Sequence, residues 1–180
     1  DWSSDVCSSD LIGSATYNLS KFVSRLLAPY VRELPSYIAN SADFVEQISQ
    51  LAIDNDEVMV SFDVKSLFTS VPVDGALRAI EETLRQDGNF TEHNKISPET
   101  VLEMLRVCLR STAFQFRNEH YDLVDGLAMG SPISPVVANL FMGRLEKAAL
   151  HKFTPALKAW FRWVDDIFSK IGRASWRERV

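Results

Sequence analysis

Cysteine is close to absent from this chain: only Cys7 and Cys108 occur among its 180 residues. Cys108 falls on an apolar helical face and reads as core. No internal disulfide framework is available, and a reducing compartment is expected. Histidine is nearly as scarce. His93, His120 and His151 fall at no metal-ligand spacing and read as surface residues. No apolar run reaches bilayer-spanning length, and no secretory signal is visible. Basic residues are outnumbered, 19 Lys and Arg against 24 Asp and Glu, for a net charge of −5. A chain that grips nucleic acid over its surface is normally basic. The acidic balance counts against such a surface and suits acids gathered locally, as around a metal.

The two ends stand apart from the rest. Asp1–Leu11, DWSSDVCSSDL, is what a common sequencing adapter encodes in one frame. Ile171–Val180, IGRASWRERV, is what the opposite adapter encodes apart from Trp176. Residues 1–11 and 171–180 are therefore read as artefacts and 12–170 as the biological segment. Removing the three basic and four acidic residues of the ends from 19 and 24 leaves 16 against 20, a net charge of −4. A segment of that length is one domain or less and can bury a core.

Within it, Leu19, Phe22, Val23, Leu26, Leu27, Tyr30 and Val31 keep helical spacing, and Pro35 ends the helix. Ser41 is placed to cap a short helix through Phe44, Val45, Ile48 and Leu51. Glu57–Val64 alternates, predicting a strand with Val58, Val60 and Phe62 on one face and Met59, Ser61 and Asp63 on the other. Pro72 precedes a helix carrying Ala76, Leu77, Ile80 and Leu84, which Asp87-Gly88-Asn89 breaks. Ser97-Pro98 opens another. Ala113–Val124 predicts a hairpin turning at Asn118-Glu119. A glycine-marked loop spans Gly126 to Pro132, and Ser134-Pro135 starts a further helix. Trp160–Lys170 predicts a last strand pair with Asp165-Asp166 at its turn. The expected fold class is α+β, an antiparallel sheet with helices on one face.

Chemistry concentrates in the run Phe161-Arg162-Trp163-Val164-Asp165-Asp166-Ile167-Phe168, where two adjacent carboxylates interrupt an apolar, aromatic stretch. Burying two negative charges is costly unless a cation neutralises them. Asp63 ends a similar strand far upstream. Three carboxylates at strand ends can hold the two metal ions that nucleotidyl transfer uses. Each acid also has an ordinary reading, as a turn residue beside Ser66 or as a polar hairpin tip. Gly130 permits close backbone approach, and Ser131 can meet a template or nucleotide. The same loop can equally be two prolines setting up a helix. Phe68 either blocks a ribose 2′-hydroxyl, favouring deoxynucleotides, or fills the core. A metal-dependent phosphohydrolase lacks support, since no histidine or further acid falls at ligand spacing near these acids.

Taken in order, these stretches resemble reverse transcriptases, most of all those of Penelope-like retroelements. The phrases that carry the likeness are Ser14-Ala15-Thr16-Tyr17-Asn18-Leu19-Ser20-Lys21-Phe22, Ser61-Phe62-Asp63-Val64-Lys65-Ser66-Leu67-Phe68-Thr69-Ser70-Val71-Pro72 and the run from Ala128-Met129-Gly130-Ser131-Pro132 to Met142. The resemblance implies a polymerase palm with part of the fingers, and an RNA-directed DNA polymerase acting by two-metal nucleotidyl transfer. Asp63, Asp165 and Asp166 would be catalytic. They would hold two Mg2+ ions, or Mn2+, together with the backbone at Val64. Phe68 would line the nucleotide pocket, and Met129, Gly130, Ser131 and Pro132 would support the template–primer. Trp163 stands where the family usually carries tyrosine. The implied partners are an RNA template, a DNA primer and deoxynucleoside triphosphates, with no membrane. The full-length parent is expected inside the cell, in the nucleus. The basic fingers segment would precede Ile12. The remaining palm, the thumb and a GIY-YIG endonuclease would follow Lys170, so this chain alone is expected to be inactive. Alternatives are a telomerase-like, intron-encoded or retron reverse transcriptase, and a non-catalytic, palm-like nucleic-acid-binding remnant of a decayed element.

Overall fold

The computed structural model describes residues 14–116, 119–153 and 156–172. The adapter-like stretches 1–11 and 173–180 lie outside the described residues. Ile171 and Gly172, read as foreign from the sequence, continue the last strand. The chain divides into two compact units where one domain was expected. One comprises the chain up to Tyr30 with Ser66–Phe141, the other Val31–Lys65 with the chain from Met142 onward. Each is described by itself.

The first unit is mainly helical. It holds most of α1 (Tyr17–Arg32), the short α3 (Leu67–Ser70), α4 (Val73–Gln86), α5 (Phe90–Asn94) and α6 (Pro98–Arg110). The hairpin β2 (Ala113–Phe116) and β3 (Glu119–Asp122) also belongs to it, as does the first half of α7 (Ser134–Ala149). The apolar spacing read from the sequence is what packs. Val23 and Leu27 of α1, Ala76, Ile80 and Leu84 of α4, and Val101, Leu105 and Cys108 of α6 are all buried. Ser97 accepts the Thr100 amide and Pro98 takes the first turn of α6, as expected. In the hairpin Phe116 pairs with Glu119, so Glu119 is strand rather than turn, and Asn118 lies outside the described residues.

Helix α4 shows how a sequence reading can miss a cap. Pro72 occupies the N-cap position and has no side-chain acceptor to offer. Asp125, 52 residues away, accepts the Val73 amide at 2.8 Å and the Gly126 amide at 3.0 Å. These two bonds, the Val73 one first, hold its carboxyl below the ordinary value of 3.8. A folded-state pKa lowered in this way contributes stability that is complete above the unfolded value. It is lost as pH falls through the folded value. Asp125→Ala should therefore lower the melting temperature at pH 7 and flatten its decline between pH 5 and about pH 2. Thermal unfolding across that range checks both expectations.

The second unit is a three-stranded antiparallel sheet in the order β1-β5-β4, with β1 at Glu57–Asp63, β4 at Leu157–Trp163 and β5 at Asp166–Gly172. Helix α2 (Ser41–Ser49) begins at the expected cap itself, and its cap lies one residue earlier. Asn40, not Ser41, accepts the Ala42 and Asp43 amides. Helices were expected on one face of the sheet, yet both faces are covered. On one, Phe44 of α2 meets Phe168 at 5.5 Å and Phe161 at 6.4 Å between ring centroids, and Phe161 stacks on Phe168. On the other, Glu146 of α7 bonds Trp160 and Arg162. The cause is legible in β4, where successive large side chains alternate to opposite faces and both faces need cover. Residues 36–38 also shield the outer edge of β4: the Arg162 amide donates to Ser36 C=O at 2.6 Å and the Ile38 amide to Arg162 C=O at 3.1 Å.

Candidate active site

Strands β1 and β5 run in register from Glu57↔Gly172 to Asp63↔Asp166. Residues directly opposite on neighbouring antiparallel strands project to the same face. Asp63 and Asp166 thus share one face at the end of the sheet, both exposed. Trp163, opposite Asp166 on β4, joins them and is half-exposed. Asp165 is partly buried in the adjoining turn. The sequence reading put both acids at that turn. The Trp163↔Asp166 pair closes the hairpin earlier, leaving only Val164 and Asp165 to turn the chain.

A two-residue hairpin turn requires positive φ at its first central residue, a place usually taken by glycine or asparagine. Here it is Val164, at φ 57°. A β-branched residue in that region costs on the order of 1–3 kcal/mol and persists only where its surroundings hold it. Two bonds hold this one. The Val64 amide donates to Asp165 C=O at 3.0 Å, and Arg162 Nη1 donates to Val164 C=O at 3.3 Å.

Arg162 and Glu146 are residues that sequence reasoning missed. Arg162 Nε donates to Glu146 Oε1 at 2.7 Å, with side chains 0% and 8% exposed. Trp160 Nε1 donates to the same oxygen at 3.0 Å, and Ser36 Oγ donates to Glu146 Oε2 at 2.5 Å. The signal was present: an arginine inside an aromatic strand must find a counter-charge if it is buried. Which acid supplies it depends on packing and could not be read from spacing.

Like charges directly opposite on paired strands repel. Among the described residues, no hydrogen-bond donor or cation is seated on the carboxylates of Asp63, Asp165 or Asp166. Nor do three His, Cys, Asp or Glu side chains converge as a ready metal cage among the described residues. What the fold supplies is an exposed cross-strand pair of acids with a third at the turn beside it. A divalent cation would turn their repulsion into attraction, so the donor set fits a hard, oxygen-liganded ion.

Phe68 and Met129–Pro132 lie in the first unit. There the Leu127 amide donates to Phe68 C=O at 2.7 Å, tying the loop to α3. Gly126 makes that approach possible. Its φ is 91°, and an added Cβ would lie 2.9 Å from Thr69 O. Gly130 turns the loop at φ 87°. Ser134 Oγ closes it on Ala128 C=O at 2.7 Å, leaving Met129 exposed and Ser131 buried. Ser131 is thus built into the loop, where the sequence suggested an accessible hydroxyl. Phe68 is partly buried. His93 and His151 are exposed and Cys108 is buried, as the sequence indicated.

Comparison with known proteins gives the family. Residues 14–171 match the family model described as reverse transcriptase (RNA-dependent DNA polymerase), and the chain belongs to that family. No curated protein matches it. Among solved structures it is similar to telomerase from Candida tropicalis in complex with a TWJ fragment of telomeric RNA. That likeness has 15% identity and a TM-score of 0.71, over 94% of this chain and 31% of that one. Telomerase from Candida albicans, also with a TWJ fragment of telomeric RNA, gives 12% identity and a TM-score of 0.65, over 89% and 31%. Apo telomerase from Candida tropicalis gives 10% and 0.64, over 91% and 33%. These likenesses show a shared fold. The chain spans about a third of the length of these structures.

Proposed function

We propose that this chain is a catalytic-core segment of an RNA-directed DNA polymerase from a Penelope-like retroelement, comprising palm and partial fingers. The observation that carries the catalytic reading is the cross-strand pair Asp63↔Asp166 with Asp165 in the adjoining turn. The Penelope-like assignment rests on the phrases around Asp63 and Gly130 quoted above. Treating 1–11 and 171–180 as foreign to the polymerase rests on their adapter-like sequences.

Asp63, Asp165 and Asp166, with the Val64 backbone, would hold Mg2+ or Mn2+. Such ions supply Lewis-acid activation of a primer hydroxyl and charge neutralisation on a triphosphate. The remaining roles belong to the chain's own groups. Phe68 would exclude a ribose 2′-hydroxyl from the nucleotide pocket. Met129, Gly130, Ser131 and Pro132 would support the template–primer, with Ser131 acting through the loop's shape because its side chain is buried. Trp163 presents a half-exposed ring beside Asp166, where a primer end would stack. The partners are an RNA template, a DNA primer and deoxynucleoside triphosphates. Spanning about a third of its solved neighbours, the chain alone should extend no primer. Among the described residues no helix is long and apolar enough to cross a membrane.

A Mn2+ titration of the 180-residue chain, followed by calorimetry, tests the reading. Binding is expected in the parent and absent in Asp63→Asn. The same substitution should raise the metal-free melting temperature slightly, because it removes the repulsion across β1 and β5. Mn2+ binding that survives Asp63→Asn and Asp166→Asn would sink the catalytic reading. It would favour a non-catalytic nucleic-acid-binding remnant.

A further inference from the structure

We infer that Arg162, anchored by Glu146, is a positioning residue that holds the Asp165–Asp166 turn in its strained conformation. The inference deepens the metal-site reading and rests on it for its functional meaning. Its structural content stands on the hydrogen bonds alone.

Val164 is the weak point of the hairpin, a β-branched residue at φ 57°. Without support it would relax toward negative φ, and relaxation there re-aims both neighbouring acids. The Val64 amide holds the turn through Asp165 C=O, from the strand that carries Asp63. Arg162 holds it through Val164 C=O, from the opposite face of the sheet. A guanidinium suits this task because its donors form a rigid fork. Nε and Nη2 face Glu146 while Nη1 reaches the carbonyl. Glu146 is itself fixed by Ser36 and Trp160, so the clamp joins α7, residues 36–38 and β4 to the turn. A lysine could pair with Glu146, but its single ammonium group lacks the fork that serves both partners.

The test uses the 180-residue chain carrying Arg162→Lys. Amide exchange at residues 58–66 and 160–168 reads turn closure without metal, and Mn2+ titration reads the acids. Expected results are faster exchange confined to those two segments and Mn2+ affinity weakened by about tenfold. Adding Val164→Gly should restore most of that affinity, because glycine adopts positive φ without strain. If Arg162→Lys does not fold, the pair Glu146→Leu/Arg162→Met removes the clamp while keeping an apolar fit, and the same readouts apply. Unchanged exchange and affinity would overturn the inference. So would losses spread over the whole unit that Val164→Gly fails to rescue. Should the parent show no Mn2+ binding that depends on Asp63, the metal reading fails, and the exchange pattern alone decides whether Arg162 holds the turn.

Discussion

Replacing Glu146 by glutamine is expected to destabilise the protein by about 3–5 kcal/mol, the usual cost of leaving one member of a buried ion pair without its partner. Glu146 carries a large share of local polar satisfaction. It accepts from Ser36 Oγ, Trp160 Nε1, Arg162 Nε and Arg162 Nη2, at 2.5 to 3.4 Å. Glutamine keeps the shape but removes the charge that balances Arg162, and its amide nitrogen cannot accept. A typical domain has only about 5–15 kcal/mol to lose, so the variant should melt far below the parent. Removing both charges together, with Glu146→Leu/Arg162→Met, should cost much less than either single change, because no orphaned charge remains. Denaturant unfolding of Glu146→Leu, Arg162→Met and the double variant provides the cycle. A single-variant loss below about 1 kcal/mol would show that water or another group compensates Arg162.

Gly126→Ala is expected to cost about 2–4 kcal/mol, from two sources that add. The positive φ of 91° penalises any side chain by roughly 1–2 kcal/mol. The new methyl would also sit 2.9 Å from Thr69 O and 3.1 Å from Thr69 Cα, which are backbone atoms of a helical turn and cannot swing aside. Relief must come from moving the loop off α3, and that breaks the 2.7 Å bond from the Leu127 amide to Phe68 C=O. The effect should therefore reach Phe68 and the Met129–Pro132 loop as well as stability. Gly88→Ala is the control, since its added carbon meets nothing within 4 Å, and it should be close to neutral. Unfolding of the two variants side by side separates local strain from a general glycine effect. Equal stability would mean that the Thr69–Gly126 approach is looser in solution.

Much of this protein was determined by local sequence. Apolar spacing at Ala76, Leu77, Ile80 and Leu84, and the Ser97-Pro98 start, are enough to make helices, because periodicity and caps act within a few residues. The run around Asp165-Asp166 was legible as an acidic hairpin because carboxylates inside an aromatic stretch demand a reason. Strand ends moved by one to three residues, and by one at the acidic turn, since register is set by pairing across strands and not along one. That shift took Asp166 out of the turn and set it directly opposite Asp63.

Only the tertiary structure decided the rest. The cap of α4 comes from Asp125, 52 residues from Val73. The counter-charge of Arg162 comes from Glu146 on a helix. Helices cover both faces of the sheet because Phe44 of α2 meets Phe161 and Phe168 on one, while Glu146 of α7 bonds Trp160 and Arg162 on the other. The single chain also divides into two compact units built from alternating segments. Each of these is a contact between residues far apart in the chain. Its energy depends on geometry that no local pattern encodes: which carboxylate is near which guanidinium, and which backbone oxygen lies 2.9 Å from a missing methyl.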